Sequence, residues 1–299
     1  MSDQADKLRQ LVRETVNDHP SLEPGVPLVV VSGGTKGVGT STVAIQLARE
    51  LARLGKRTVL ADANLQQPEM TTRLNIEPAD SLVDILSGAR SAVEVLRPLG
   101  NSIQLLPGRW TPKAPPEIGR EAVKRILTEF RSLATHADVI IIDAGDGTSP
   151  WLHQLWKAAH QVLLVTTLEP DAMKASYSAV KLAPWGDVDG KVRLVVNQTD
   201  EDRQAQQAGD RFAATCRRFL GVNLCQPIAV VKQAASTDLF DDRACASHDD
   251  APFRQSISLL SAELISSCLV LSSHRRGYAS SDAIKSLEIS NKAQTTPRV

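Results

Sequence analysis

Residues 32–42 read Ser-Gly-Gly-Thr-Lys-Gly-Val-Gly-Thr-Ser-Thr and separate the apolar run Leu-Val-Val-Val at 28–31 from a helical stretch at 41–54. A buried strand, a glycine-rich loop and a helix in this order are typical of a phosphate-binding loop. Glycines let backbone N–H groups converge on an anion, and the helix N-terminus adds partial positive charge. The stretch therefore predicts a phosphate ligand, bound by these residues: Gly33, Gly34, Thr35, Lys36, Gly37, Val38, Gly39, Thr40, Ser41, Thr42.

The P-loop pattern G-x-x-x-x-G-K-[ST] fits Gly34, Gly39 and Ser41, but Thr40 replaces its lysine. That lysine normally lies against the β- and γ-phosphates of the nucleotide. The sequence therefore predicts that a positive charge is missing where the ligand is most negative. Lys36 is the one cation of residues 32–42, and we expect it to take over part of that role. Ser41 retains the hydroxyl that such loops offer to Mg²⁺.

Two other interpretations of the loop fit less well. A strand-to-helix turn without a ligand would not need four glycines within residues 33–39 and a Ser-Thr pair at the start of the helix. The dinucleotide fingerprint G-x-G-x-x-G is not present in these residues. A nucleotide P-loop remains the best interpretation.

The chain after the loop alternates short apolar runs with longer helical stretches. Such runs are typical of strands covered on both faces, and the intervening helices indicate parallel crossovers. The sequence predicts a doubly wound, mostly parallel α/β sheet. Its strands are expected at 28–32, 58–62, 138–143, 161–167 and 192–197, with a short strand near 222–228, and its helices at 41–54, from 200 through 219 and at 253–271. In the first helix the packing stripe is expected at Val43, Leu47, Leu51 and Leu54.

Four segments are expected. Residues 1–19 form an amphipathic helical arm, 20–27 a proline-rich linker, 28–271 one P-loop domain, and 272–299 a polar tail that is expected to be disordered. The apolar residues of the arm recur at helical spacing: Ala5, Leu8, Leu11, Val12, Val16.

Acidic residues stand at the ends of two predicted strands, at Asp62 and Asp143. Ligands of open α/β sheets bind beyond the carboxyl ends of the strands, so both carboxylates are expected beside the loop. Asp143 resembles an acid that orients Mg²⁺ through water. For either residue alone, capping a helix is the other interpretation.

Composition excludes several classes of protein. The 299 residues hold 34 Lys plus Arg and 34 Asp plus Glu, which gives no surplus of positive charge for nucleic acid. No apolar stretch approaches the roughly 20 residues of a membrane-spanning helix, and residues 1–10 do not read as a secretory signal. A cytoplasmic location is expected. The cysteines at 216, 225, 245 and 268 form no CxxC pair, which favours buried free thiols over a zinc site or an iron–sulfur cluster.

Several runs in a fixed order resemble the MinD/ParA family of P-loop ATPases, and within it the FlhG branch of flagellar regulators, also called FleN or YlxH. They are D-A-N-L-x-x-P at 62–68, S-L-V-D-I-L-S-G at 81–88, L-L-P-G at 105–108, V-T-T-L-E-P-D-A at 165–172 and V-V-N at 195–197. The resemblance implies ATP or ADP with Mg²⁺ as cofactors, Mg²⁺ contacts at Ser41, Asp62 and Asp143, and an adenine contact at Asn197. It also implies a homodimer that forms with ATP.

This sequence departs from the family at the residues that matter for hydrolysis. The family's loop carries two lysines, one of which reaches across the dimer, and Thr35 and Thr40 stand in their positions. Asn64 stands where the family has its hydrolytic carboxylate, so the catalytic pair would be Asp62 with a degenerate Asn64. Nucleotide binding is therefore expected to be weakened, and hydrolysis to be slow or absent.

The arm carries the family's D-Q-A-x-x-L-R motif at Asp3, Gln4, Ala5, Leu8 and Arg9. In the family this helix activates the GTPase FlhF, and a helix on a stiff linker is suited to a partner's groove. FlhF is the expected partner, with flagellar switch components as further candidates. Packing of the arm on its own domain is the other interpretation.

The alternative function is a non-hydrolysing scaffold like the pilus-assembly relatives CpaE and TadZ, which share a degenerate loop but not the arm. Membrane binding is a separate question. A weak apolar stripe at Ile284, Leu287 and Ile289 is poor for anchoring at a bilayer surface, so the inner face of the membrane is the second choice of location.

Overall fold

The computed structural model describes residues 25–65, 67–68, 70–77, 79–100, 102–109, 118–183, 188–235 and 248–269. The helical arm, the polar tail, Cys245 and the side chain of Cys268 lie outside the described residues. At the start of the described part, Val26 is buried and the Pro27 carbonyl accepts a hydrogen bond from Ile140 N at 2.9 Å.

Strands in the described residues form one sheet. Their bounds are β1 Leu28–Gly33, β2 Thr58–Asp62, β3 Arg97–Gly100, β4 Ile103–Leu106, β5 Val139–Asp146, β6 Gln161–Thr166, β7 Val192–Val196 and β8 Ala229–Val230. They lie in the order β3-β4-β2-β5-β1-β6-β7-β8, and each neighbouring pair is parallel except β3 with β4. The predicted doubly wound, mostly parallel sheet is confirmed.

Helices cover both faces of this sheet. Their bounds are α1 Thr40–Arg53, α2 Met70–Arg73, α3 Leu82–Ser87, α4 Ala92–Val95, α5 Arg120–Ser132, α6 Pro150–Ala158, α7 Pro170–Leu182, α8 Asp202–Thr215 and α9 Ala251–Leu264. Two π-helical turns, Cys216–Leu220 and Ile265–Leu269, extend α8 and α9. In the described part, no helix combines the length and the apolar character that crossing a membrane requires.

Strand β1 shows why its sequence is apolar without alternation. Val29 and Val31 belong to the core cluster that contains the buried residues of α1 and α9, whereas Leu28 and Val30 belong to the cluster on the other face, which contains those of α5, α6 and α8. All of β1 is buried, as expected for a parallel strand covered on both sides. The helix at the end of the described chain closes the core, because Phe253, Ile257, Leu260 and Leu264 of α9 are buried against α1.

Three local expectations were wrong or incomplete. The strand expected near 222–228 begins at Ala229 instead, because Pro227 has no N–H for a ladder bond. Leu54 is 41% exposed, since it follows the last residue of α1 and the buried stripe ends at Leu51. The β3–β4 hairpin at the edge of the sheet was not predicted.

The two cysteines whose side chains are described are free thiols. Cys216 is buried as predicted, and burial raises the pKa of its thiol to about 12. Cys225 is only partly buried, and its Sγ lies 2.8 Å from the Gly190 carbonyl oxygen.

Candidate functional site

The glycine-rich loop leaves the middle of the sheet, because β1 lies between β5 and β6. The connection from β1 leads towards β2 on one side, and β6 and β7 continue on the other. Strand order therefore reverses beside β1, and in open α/β sheets this is where ligands bind. The carboxyl ends of β1, β2, β5 and β7 and the segments that follow them meet at this edge, and they contain the site residues predicted within the described part of the chain.

The loop folds back tightly on its own first glycine. A Cβ atom on Gly33 would lie 2.7 Å from Val38 Cγ2 and 2.8 Å from Thr40 Oγ1. The loop ends at Gly39, which has φ +90° and precedes the first turn of α1. Glycine is needed there because an L side chain rarely adopts this conformation. The compact turn and the helix N-terminus have the form that a phosphate-binding loop requires.

Helix α7 supports the loop from behind at Gly34. A Cβ atom on Gly34 would lie 2.2 Å from Ser176 N and 2.4 Å from the Ala175 carbonyl carbon. Ser176 is fully buried, and its Oγ has no hydrogen-bond partner among the described residues. Gly34 is therefore required by the close approach of a helix backbone, a reason that the sequence pattern did not reveal.

Two amide side chains that follow β7 hold the loop at its centre. Asn197 Nδ2 donates to the Val38 carbonyl at 2.8 Å, and Gln198 Nε2 donates to the Gly37 carbonyl at 3.1 Å. Gln198 has φ +58°, which is uncommon for a residue other than glycine. The structure thus brings Asn197 to the loop, a contact that the sequence did not predict, and it adds Gln198, for which the sequence held no signal.

The residues in the lysine positions differ in exposure. Thr40 begins α1 and is buried, at 8% exposure, while Ser41 and Thr42 are half-buried. Thr35 is half-buried in the loop. Lys36 is exposed, and its Nζ donates to Gln67 Oε1 at 2.8 Å. The positive charge of the loop therefore lies over the segment that follows β2.

The two predicted carboxylates are register partners. Asp62 of β2 pairs with Asp143 of β5, and both are at most 1% exposed. Asp62 accepts hydrogen bonds from Asn64 N at 3.3 Å and Met70 N at 3.2 Å, and Asp143 accepts one from Gly145 N at 3.1 Å. These backbone donors fix both carboxylates at the edge of the sheet next to the loop.

Asn64 lies between the carboxylates and the chain that leaves β5. Its Oδ1 accepts a hydrogen bond from Gln67 N at 3.1 Å, which closes the turn after β2. A Cβ atom on Gly145, which has φ +72°, would lie 2.5 Å from Asn64 Cγ. The amide is thus packed against the end of β5.

The donors at this edge suit Mg²⁺ bound together with a phosphate. Mg²⁺ prefers oxygen ligands and usually keeps several waters beside one or two carboxylates and the phosphates of its substrate. Ser41 and Thr42 at the loop end, with Asp62 and Asp143 on adjacent strands, are oxygen donors of this kind. Gly108 lies close to Asp62, and a Cβ atom on Gly108 would be only 2.8 Å from Asp62 Cγ. The residues present therefore fit the ion.

The doubly wound sheet, the glycine loop at its switch point and the paired carboxylates define the class of P-loop nucleotide-binding domains. The model of one family, described as the CobQ/CobB/MinD/ParA nucleotide binding domain, matches residues 29–240. The chain belongs to this family.

Similar proteins include an antiactivator and a flagellum site-determining protein. The chain is 26% identical over 204 residues to the antiactivator FleN of Pseudomonas aeruginosa, covering 68% of this chain and 72% of that protein. It is 24% identical over 155 residues to the flagellum site-determining protein YlxH of Helicobacter pylori, and here it spans only about half of either chain, 52% of each. The fold is similar to that of the septum site-determining protein MinD of Pyrococcus horikoshii, solved with Mg-ADP, with a TM-score of 0.61, 16% identity and coverage of 80% of this chain and 96% of that one.

Proposed function

We propose that this chain is an FlhG-like, ATP-binding regulator of flagellar number or placement. Its loop at 33–42 would hold the phosphates of ATP or ADP, and Ser41, Asp62 and Asp143 would hold Mg²⁺. The observation that carries the proposal is the preformed loop, whose carbonyls at 37 and 38 are held by Gln198 and Asn197. A loop with its backbone already ordered can bind phosphate through N–H groups without first losing conformational freedom.

Binding without the lysine would depend more on the metal ion. When bound, Mg²⁺ supplies positive charge beside the phosphates. Thr40 is buried and neutral, and Lys36 contacts Gln67 at the rim of the loop. ATP carries one more phosphate than ADP. We therefore expect the binding of ATP to depend on Mg²⁺ more strongly in this chain than in relatives that have both lysines.

Hydrolysis would be slow, because Asn64 is a poor substitute for a carboxylate. A neutral amide does not accept a proton from water as a general base does. Its Oδ1 also accepts the Gln67 N–H, so one lone pair of that oxygen is committed to the turn. The chain would then act as a switch that responds to bound nucleotide, forms a dimer with ATP and turns over slowly.

The arm would carry the signal to the partner. The D-Q-A-x-x-L-R residues at 3–9 lie outside the described residues, and the likeness to FleN and YlxH supports assigning them to an FlhF-type GTPase. We expect the protein to be located in the cytoplasm. The inner face of the cell membrane is the alternative location. The test mixes the full-length chain with the GTPase and measures GTP turnover.

Stimulation of GTP turnover is expected from the wild-type chain and from Lys7→Ala, which changes a position that the motif leaves open. Gln4→Ala with Arg9→Ala should abolish it. Equal stimulation by all three proteins, or stimulation by none, would remove the assignment to this GTPase. Nucleotide binding by the loop is measured separately and does not depend on this result.

A second function, a non-hydrolysing scaffold, is favoured by one specific observation. Thr35, Thr40 and Asn64 are all neutral, and they stand at the three positions where the family resemblance implies a charged residue. The two functions differ in their response to nucleotide. A switch should change from monomer to dimer when ATP is added, as measured by light scattering, whereas a scaffold should keep one oligomeric state.

A further inference from the structure

Helix α6 directly follows the carboxylate strand β5, with only residues 147–149 between them. The Ser149 side chain caps it by accepting Leu152 N at 3.2 Å. The helix carries two tryptophans with buried side chains, Trp151 at 8% exposure and Trp156 at 0%. Both indole N–H groups donate to segments that lead into the proposed site.

The Trp151 contact reaches the turn between the predicted site residues. Its Nε1 donates to the Ala63 carbonyl at 3.0 Å, across 88 positions of the chain. Ala63 lies between Asp62 and Asn64, and its own N–H donates to the Asp143 carbonyl at 2.8 Å. The turn is therefore held from β5 on one side and from α6 on the other.

The same carbonyl also closes the turn locally. Leu65 N donates to the Ala63 oxygen at 3.0 Å, Asn64 N donates to Asp62 Oδ1, and Gln67 N donates to Asn64 Oδ1. These bonds are short-range and shape the turn without fixing it in space. Two long-range bonds act on Ala63: its N–H donates to the Asp143 carbonyl, and its carbonyl accepts the Trp151 indole N–H. The indole bond is the one that fixes the turn to α6.

The Trp156 contact reaches a different segment. Its Nε1 donates to Ser32 Oγ at 3.0 Å, and both side chains are fully buried. Ser32 lies in β1 just before the loop, and the neighbouring Gly33 carbonyl accepts Gly147 N at 3.0 Å. Trp156 thus links α6 to β1, the strand before the loop, whereas Trp151 links α6 to the turn after β2.

We infer that Trp151 is a positioning residue that, through the Ala63 carbonyl, sets the orientation of Asp62 and Asn64 towards the bound metal and phosphate. The effect on metal and phosphate binding rests on the proposed nucleotide function. The placement of the turn by Trp151 is a property of the ligand-free protein. A hydrogen bond behind a metal ligand commonly tunes metal affinity, because it holds the ligand in one orientation.

The experiment first compares amide hydrogen exchange in the nucleotide-free, full-length protein. Trp151→Phe keeps an aromatic ring but removes the donor, Trp156→Phe removes the other indole bond, and Ile126→Val is a mild core change in α5. We expect the amides of Asn64, Leu65 and Gln67 to exchange about tenfold faster in Trp151→Phe than in the two controls. Equal rates in the three variants would overturn the inference.

A measurement on the wild type covers the case in which Trp151→Phe does not fold. The indole N–H of Trp151 should exchange much more slowly than that of an exposed tryptophan. Exchange at the rate of an exposed indole would overturn the inference without any variant.

The second measurement is ADP affinity with Mg²⁺ and with EDTA. The gain in affinity from Mg²⁺ should fall by about tenfold or more in Trp151→Phe and stay unchanged in Ile126→Val. An unchanged gain in Trp151→Phe would overturn its link to the metal site. If the wild type binds no ADP under either condition, the proposed nucleotide function fails, and the exchange rates still decide whether Trp151 positions the turn.

Discussion

Asn197 at the end of one strand holds the carbonyl of Val38 in the glycine loop that follows another, with 2.8 Å between Nδ2 and O. The two residues are 159 positions apart, and both are nearly fully buried. The pair links the loop to β7 through a side chain and not through the sheet ladder. In this structure the asparagine thus supports the loop itself, in addition to the adenine contact that the family resemblance implies for it.

Replacing Asn197 with Ala should weaken both the fold and the loop. The Val38 carbonyl would lose its donor while remaining buried, which costs about 1–3 kcal/mol. Thermal unfolding and ADP titration measure the two effects. Gln198→Ala serves as the control, because Gln198 is exposed and water can replace its amide. If Gln198→Ala lowered thermal stability and ADP affinity as much as Asn197→Ala does, the proposed role of Asn197 in the loop would be wrong.

Gly34 and Gly37 should respond differently to substitution by Ala. At Gly37 a Cβ meets no described residue within 4 Å, and the cost is the strain of φ +82°, about 1–2 kcal/mol. At Gly34 the Cβ would overlap the backbone of α7, so either the loop or the helix must move. We expect Gly34→Ala to be the more destabilising in urea unfolding and to abolish ADP binding. The reverse ranking would show that α7 does not support the loop.

Thr40→Lys should restore the missing charge. A charge-assisted hydrogen bond contributes about 1.5–3 kcal/mol, which corresponds to at least roughly tenfold tighter ATP binding. The double variant Thr40→Lys with Asn64→Asp should also raise the rate of phosphate release. Thr128→Lys adds the same charge on the exposed side of α5 and should change neither quantity. Wild-type turnover already equal to that of the double variant would refute the proposed defect.

The ion pair between Arg57 and Asp138 predicts that the free energy of unfolding depends on pH. Nucleotide binding should not depend on this pair. The Arg57 guanidinium donates to the Asp138 carboxylate at 2.8 Å and lowers its pKa. The resulting stability is present above the ordinary aspartate pKa of about 3.9 and is lost as pH falls through the lower folded pKa. Because the pair is partly exposed, Asp138→Asn should cost only about 0.5–1 kcal/mol at pH 7.

The difference between Asp138→Asn and the wild type should shrink as the pH is lowered below about 4. Denaturant unfolding across this range measures it. ADP affinity at pH 7 should be the same in both proteins, since Asp138 precedes the first residue of β5 and the proposed site lies at the carboxyl end of that strand. A difference that persists in acid would mean that the ion pair is not its source.

The core of the fold was predictable from sequence because each central strand is a continuous apolar run. The neighbouring positions of Asp62 and Asp143 followed from the same reasoning, since parallel strands end at one edge. The β3–β4 hairpin was not predictable in this way, because β3 reads Arg-Pro-Leu-Gly and has neither a long apolar run nor a clear alternation. Edge strands carry a weaker pattern, as only one side is paired.

The supports of the site were the part that sequence could not supply. Gln198, Ser176 and Trp151 act through contacts with residues far away in the chain. Glycine-rich patterns suggest why Gly39 is present, but only the packing of α7 explains Gly34. Long-range hydrogen bonds of single side chains leave no periodic signal, so the loop was predictable and its supports were not.

Titration calorimetry of the full-length chain with Mg²⁺ and either ADP or a non-hydrolysable ATP analogue decides whether the loop is a nucleotide site. We expect saturable binding of one nucleotide per chain, strongly weakened by EDTA for the ATP analogue and abolished by Gly34→Ala. Absence of binding with Mg²⁺, or binding that Gly34→Ala leaves unchanged, would contradict the assignment of the loop at 33–42 as a nucleotide site.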